Sequence, residues 1–126
     1  MKEESCLILF FLTLLKVQCF SLYSLLLAIN VTTVDYFSLD IEGAEVEVLQ
    51  TIPFDKIKFN IISVEYEEVN TTVEREKIEK IKSIILGTGE YEFLGYLPHS
   101  NHYEPYYVTE LPFLKQGQDV VFRRKI

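Results

Sequence analysis

The chain has 126 residues, a length that allows one domain built around one hydrophobic core. Its formal net charge is -7, and its basic residues are scattered apart from Arg123-Arg124-Lys125. That balance excludes a binder of nucleic-acid backbone, which needs clustered Lys and Arg, and a hydrophobic content of 48% without internal repeats excludes a disordered chain or a solenoid.

The first feature is an apolar run from Cys6 to Leu15. It is too short to span a bilayer alone, which takes about 20 residues, but it has the length of a signal-peptide core. Lys2 supplies positive charge ahead of it, offset by Glu3 and Glu4, and Val17-Gln18-Cys19 offers a cleavage site. Three readings are open. The run is signal-like; or it continues past Lys16 as one imperfect membrane helix from Cys6 through Ile29; or residues 1–16 are an appendage and a soluble fold begins at Val17. The last is preferred for residues 17–29. Residues 1–16 are then an apolar leader, expected to associate with a membrane or direct the chain to the secretory pathway; if the leader is an artefact, the protein is cytoplasmic. Cys6 and Cys19, the only cysteines, read as small apolar residues and not as a disulfide framework or a metal site.

Leu22 to Ile29 has helical spacing, ended by Asn30. Tyr36 to Ile41 is almost wholly apolar, which predicts a strand covered on both faces, hence a parallel sheet. Gly43 opens a helix through Ile52, with Ala44, Val48, Leu49 and Ile52 on one face and Pro53 as its stop. A second buried strand spans Asn60 to Tyr66. A helix follows from about Thr72 to Leu86, with capping-box spacing at Thr71 and Glu74 and a buried face of Ile78, Ile81 and Ile85. Its charges Glu74, Arg75, Glu76, Lys77, Glu79 and Lys80 read as a solvated face. Tyr91 to Leu97 and Gln118 to Arg124 are strands, separated by a long irregular stretch carrying His99, His102 and Glu104. These last three read as solvent-exposed loop residues, and no metal site is assigned. Asn30-Val31-Thr32 and Asn70-Thr71-Thr72 fit the N-glycosylation acceptor pattern, and serve equally as turns or caps.

Neighbouring parallel strands at 36–41 and 60–66 place their C-terminal ends on one sheet edge. Asp40 and Glu42 then face the same crevice as Glu65 and Glu67, where open α/β sheets bind their ligands. Acids there act as a general base, bind a cation, or accept hydrogen bonds from a sugar or an amine. The plainer alternative for Asp40 and Glu42 is that they cap the helix.

Tyr36-Phe37-Ser38-Leu39-Asp40-Ile41-Glu42-Gly43-Ala44-Glu45, followed by Val48-Leu49 and by Ile62-Ser63-Val64-Glu65-Tyr66, resembles the FkbM-type methyltransferase family. Residues 17–26 are similar to its arthropod Star-like branch, with Ser21 where a proline is usual, and Gln118-Asp119-Val120-Val121-Phe122 looks like the family's last strand. The resemblance implies a Rossmann-like fold, S-adenosylmethionine as cofactor, and methyl transfer to oxygen on a small-molecule or glycan acceptor. It places Asp40 beside the methyl-transfer site with Glu42 and Glu65 near it, and these three are the candidate catalytic residues. The glycine-rich turn that the family uses for the cofactor has no counterpart, since all five glycines lie at Gly43 or later, so the cofactor-binding residues stay unassigned. The expected architecture is α/β: residues 17–126 form the C-terminal portion of a methyltransferase domain, a partial Rossmann-like fold whose mostly parallel sheet carries an antiparallel C-terminal edge. The Star-like branch implies an alternative, a non-enzymatic membrane-associated protein acting in trafficking.

Overall fold

The computed structural model describes residues 4–10, 13–66, 71–98 and 117–126. Two strands, β1 (Glu4–Phe10) and β2 (Thr13–Cys19), pair as an antiparallel hairpin, in register from Glu4 opposite Cys19 to Phe10 opposite Thr13. The apolar run therefore folds back on itself as strand, and the single helix from Cys6 through Ile29 is not formed. Among the described residues no helix is long and apolar enough to cross a membrane. Cys19 is disulfide-bonded, which corrects the reading of the cysteines as apolar filler.

Helix α1 (Leu22–Ala28) follows, with Ser21 Oγ accepting from the Ser24 amide as its N-cap. Asn30, at φ 57°, ends it: the Asn30 amide donates to Leu27 O and the Val31 amide to Leu26 O. That pair of bonds is a Schellman motif with asparagine in the left-handed position.

The main sheet is built from β3 (Thr33–Leu39), β4 (Lys58–Glu65), β5 (Tyr91–Pro98) and β6 (Gly117–Arg124), in the order β3-β4-β6-β5. Helices α2 (Glu45–Thr51) and α3 (Thr71–Gly87) connect β3 to β4 and β4 to β5. β3 and β4 pair in parallel, as expected, while β6 pairs antiparallel with both β4 and β5. Three strands thus run one way and β6 alone runs the other. The antiparallel strand is not the sheet's edge, as the sequence had implied, but lies inside it. With only one parallel pairing among three, the sheet is mixed rather than mostly parallel. Adjacency along the chain misleads here, because β5 and β6 are neighbours in sequence and β6 still reaches past β5 to pair with β4.

One buried cluster joins Ile62 and Val64 of β4, Val120 and Phe122 of β6 and Tyr91 of β5 to Leu49 of α2 and Ile81 and Ile85 of α3; Leu22, Tyr23 and Leu26 of α1 pack against it. The three helices therefore cover one face of the sheet. Core positions in β4 are Phe59, Ile62 and Val64, so the two-residue period slips once. The same slip occurs in β3, where Val34 and Phe37 pack on the core. Pairing skips the intervening residues, which join instead through their side chains: Asn60 Nδ2 donates to Asp35 Oδ1 at 2.9 Å.

The opposite sheet face carries Tyr36, Ser38, Ile61, Ser63 and Val121. Coverage of β3 on both faces, expected from its apolar run, is not found among the described residues: Tyr36 is 56% exposed and Ile41, just beyond the strand, 42%. An edge strand with helices on one side leaves its second face to solvent. Gly43 stands outside α2, at φ 116°, so the helix opens two residues later than the sequence suggested. The 99–116 stretch, with His99, His102 and Glu104, lies outside the described residues, as do Glu67 and Asn70.

Truncating Phe122 to Ala should cost about 3–5 kcal/mol, because its ring is fully buried at the centre of the sheet. Tyr36→Ser on the open face should cost about 0.5 kcal/mol. Urea midpoints of the two variants check the contrast.

Candidate active site

Register builds the site. Leu39 and Val64, both buried, are paired at the C-terminal ends of β3 and β4, so the next residues, Asp40 and Glu65, come side by side. On its other flank Glu65 sits opposite Asp119, at the start of β6. Three adjacent strands therefore bring a carboxylate each to one edge of the sheet. Ser63, fully buried, donates its hydroxyl to Asp119 Oδ2 and fixes that side chain.

The turn after β3 is held from within the signature. Glu42 adopts φ 58°, a left-handed conformation that costs a non-glycine residue about 1–2 kcal/mol, and Gly43 follows at φ 116°. What holds the turn is Glu45, whose Oε1 accepts from the Ile41 amide at 2.9 Å and the Gly43 amide at 3.1 Å. Its Oε2 makes no conventional hydrogen bond but lies 2.8 Å from Lys77 Nζ of α3. Both partners are out of water, at 0% exposure for Glu45 and 7% for Lys77. Burial alone would raise the Glu45 carboxyl; the Lys77 ammonium and the backbone amides outweigh it and hold the group below its ordinary range. Capping of α2 by Asp40 or Glu42 is not what the structure uses, since the N-cap Ala44 has no side-chain bond.

Glu65 behaves in the opposite way. Partial burial, a hydrogen bond with Asp40, and the charges of Asp40, Glu42 and Glu45 push it up to about 7. Two carboxylates at this distance cannot both ionise cheaply, so the Asp40–Glu65 pair holds one proton below neutral pH. Carboxylate oxygens of Asp40, Glu45 and Glu65 all lie within 4.8 Å of one another, a spacing that fits a cation. Glu45 is not free to ligate one, however, because both its oxygens are engaged and Lys77 already supplies the positive charge.

Of the residues singled out from sequence, Asp40 and Glu65 are in contact, and Glu42 reaches them only through its charge. Glu45, Lys77, Ser63 and Asp119 were missed as parts of the site. Lys77 was read as part of a solvated face, yet it lies four and eight residues before Ile81 and Ile85, on the buried stripe of α3. Ser63 carried a signal too, as the one hydroxyl in the run Ile61-Ile62-Ser63-Val64.

These two glutamates oppose each other in pH dependence. The lowered Glu45 contributes stability that is present above its unfolded value near 4.5 and lost as pH falls through its folded value. The raised Glu65 contributes stability that is full below 4.5 and lost as pH rises through about 7. Both contributions are full only near pH 4.5, so stability should peak there and fall as pH rises toward about 7. Glu65→Gln, which keeps the donor to Asp40, should match the parent at pH 5 and exceed it by about 1–2 kcal/mol at pH 8. Glu45→Gln should lose about 3–5 kcal/mol at pH 7, because Lys77 is left buried without a counter-charge. Denaturant titrations at the three pH values measure all of these.

A model of the Methyltransferase FkbM domain matches residues 10–98, more than two thirds of the chain. The match includes β2, α1 and the whole strand–turn–helix signature, and it takes in residues 10–16 of the expected leader. No curated protein and no solved structure gives a match. With its acidic strand ends aligned as described and the family model covering most of its length, the chain belongs to the FkbM-type methyltransferase domain family.

Proposed function

We propose that this is an O-methyltransferase-type domain in which Glu65, paired with Asp40, is the general base toward an acceptor hydroxyl. The observation that carries this reading is the raised Glu65 beside Asp40 at the C-terminal ends of two adjacent parallel strands. A base poised near 7 takes a hydroxyl proton most effectively at neutral pH. Asp40 tunes Glu65 through their shared hydrogen bond, Glu42 adds negative charge to the same edge, and the Glu45–Lys77 pair fixes the turn that presents Asp40. Small-molecule or glycan alcohols suit such an edge, because carboxylates accept hydrogen bonds from neighbouring hydroxyls.

Domains of this family generally use S-adenosylmethionine, which supplies the methyl group when bound. The residues described here fit the acceptor side better than the cofactor. No glycine precedes Gly43, and no glycine-rich turn follows a strand end on the β3 side among the described residues. The extended Rossmann-like sheet implied by the resemblance, and its placement as the C-terminal portion of such a domain, belong to this proposal.

A second reading draws on the Cys19 disulfide, which favours an oxidising compartment. In it the protein is a Star-like member of the secretory pathway, membrane-associated through residues 1–16, with a trafficking rather than a catalytic role.

Transfer of labelled methyl from S-adenosylmethionine to a panel of small-molecule and glycan alcohols separates the two, alongside calorimetry of the cofactor with the chain. The expected rate rises through about pH 7 as Glu65 loses its proton. Asp40→Asn and Glu65→Gln should each lower it by about 10²–10⁴-fold, while Glu92→Gln, on the far exposed surface, should leave it unchanged. Absence of transfer to every alcohol, together with membrane fractionation of the chain, would favour the second reading.

A further inference from the structure

We propose that Asn30 is an N-glycosylation site. The inference rests on the secretory-pathway placement given above, and it adds the covalent group that the fold presents there. Asn30-Val31-Thr32 carries the acceptor amide and the hydroxyl two residues on that the transferase requires. The structure adds three observations that the sequence alone does not hold.

Accessibility is the first. Asn30 and Thr32 are both exposed, in the turn between α1 and β3. The second is that neither side chain is committed elsewhere. The Asn30 and Thr32 backbones bond to Leu27 and Lys58, but their side chains hydrogen-bond to no described residue. The backbone role explains why a residue tolerant of the left-handed region stands at position 30, and glycine would fill that role better. It does not explain a free amide followed by a free hydroxyl. Third, Cys19 is disulfide-bonded eleven residues earlier, which matches the oxidising compartment where such transfer occurs.

The exposed apolar residues Leu27, at 57%, and Ile29, at 67%, flank the turn. A glycan on Asn30 would stand over them and keep this surface in solution.

In the transfer, Asn30 Nδ2 attacks the anomeric carbon of a lipid-diphosphate-linked oligosaccharide. A C–N bond forms and the C–O bond to the diphosphate breaks. The lipid diphosphate leaves with the electron pair, and the amide proton passes to a base of the transferase.

The test is translation of the full chain with eukaryotic microsomes, read by protease protection and by the mobility shift on peptide-N-glycosidase treatment. An Asn70→Gln background removes the second acceptor sequence. In that background one glycan should be present, and it should vanish in Asn30→Gly and in Thr32→Val. Asn30→Gly keeps the left-handed turn, so loss of the glycan cannot be attributed to misfolding; an unchanged urea midpoint confirms this. A protected chain without the shift, or a shift that survives both variants, overturns the proposal while leaving the secretory placement standing. A chain that stays protease-sensitive overturns the placement and the proposal together.

Discussion

The buried ion pair between Glu45 and Lys77 is the contact on which the acidic edge of this protein depends. One carboxylate closes the turn after β3 through two backbone amides and reaches α3 through an ammonium group. Desolvating two charges is expensive, and such a pair adds little net stability over a well-packed apolar alternative. Its effect is better described as positional. It ties the left-handed residues Glu42 and Gly43, the start of α2 and the middle of α3 to one point, which leaves Asp40 only one place to go.

A second consequence follows from charge. Glu45 is ionised and its field is largely answered by Lys77, yet its negative charge still counts among the causes that raise Glu65. Opposite protonation preferences are thus divided between carboxylates of the same cluster. The buried one is held ionised by a cation and amides; the half-buried one is held protonated by its acidic neighbours. That divergence of environments is the arrangement by which one fold assigns distinct roles to chemically identical groups.

Much of this was legible in the sequence. The strand–turn–helix signature, the parallel pairing of β3 with β4 and the meeting of Asp40 with Glu65 all follow from apolar runs that end in acids. The misses have physical causes. Insertion of β6 between β4 and β5 is a tertiary choice that local pattern does not encode. Lys77 was hidden because charge outweighs periodicity when a helix carries six ionisable residues in seven positions. The strand hairpin at 4–19 was hidden because short apolar runs do not distinguish strand from helix by period. Glu45 stood inside the signature in plain view, but nothing in a sequence says which of three neighbouring acids will turn inward.

The place of β6 in the sheet bears on how the protein is made. Among the described residues β5 finds its one partner in β6, and β4 finds its second one there. Until residues beyond Gly117 leave the ribosome, both strands carry open hydrogen-bonding edges rich in Ile, Val, Phe and Tyr, the composition most prone to pairing with other chains. Closure of the core is therefore a late, long-range event in which Phe122 enters between strands that have been waiting for it. Synthesis, and not only thermodynamic stability, sets the interval during which this domain is most exposed to aggregation and most dependent on chaperones.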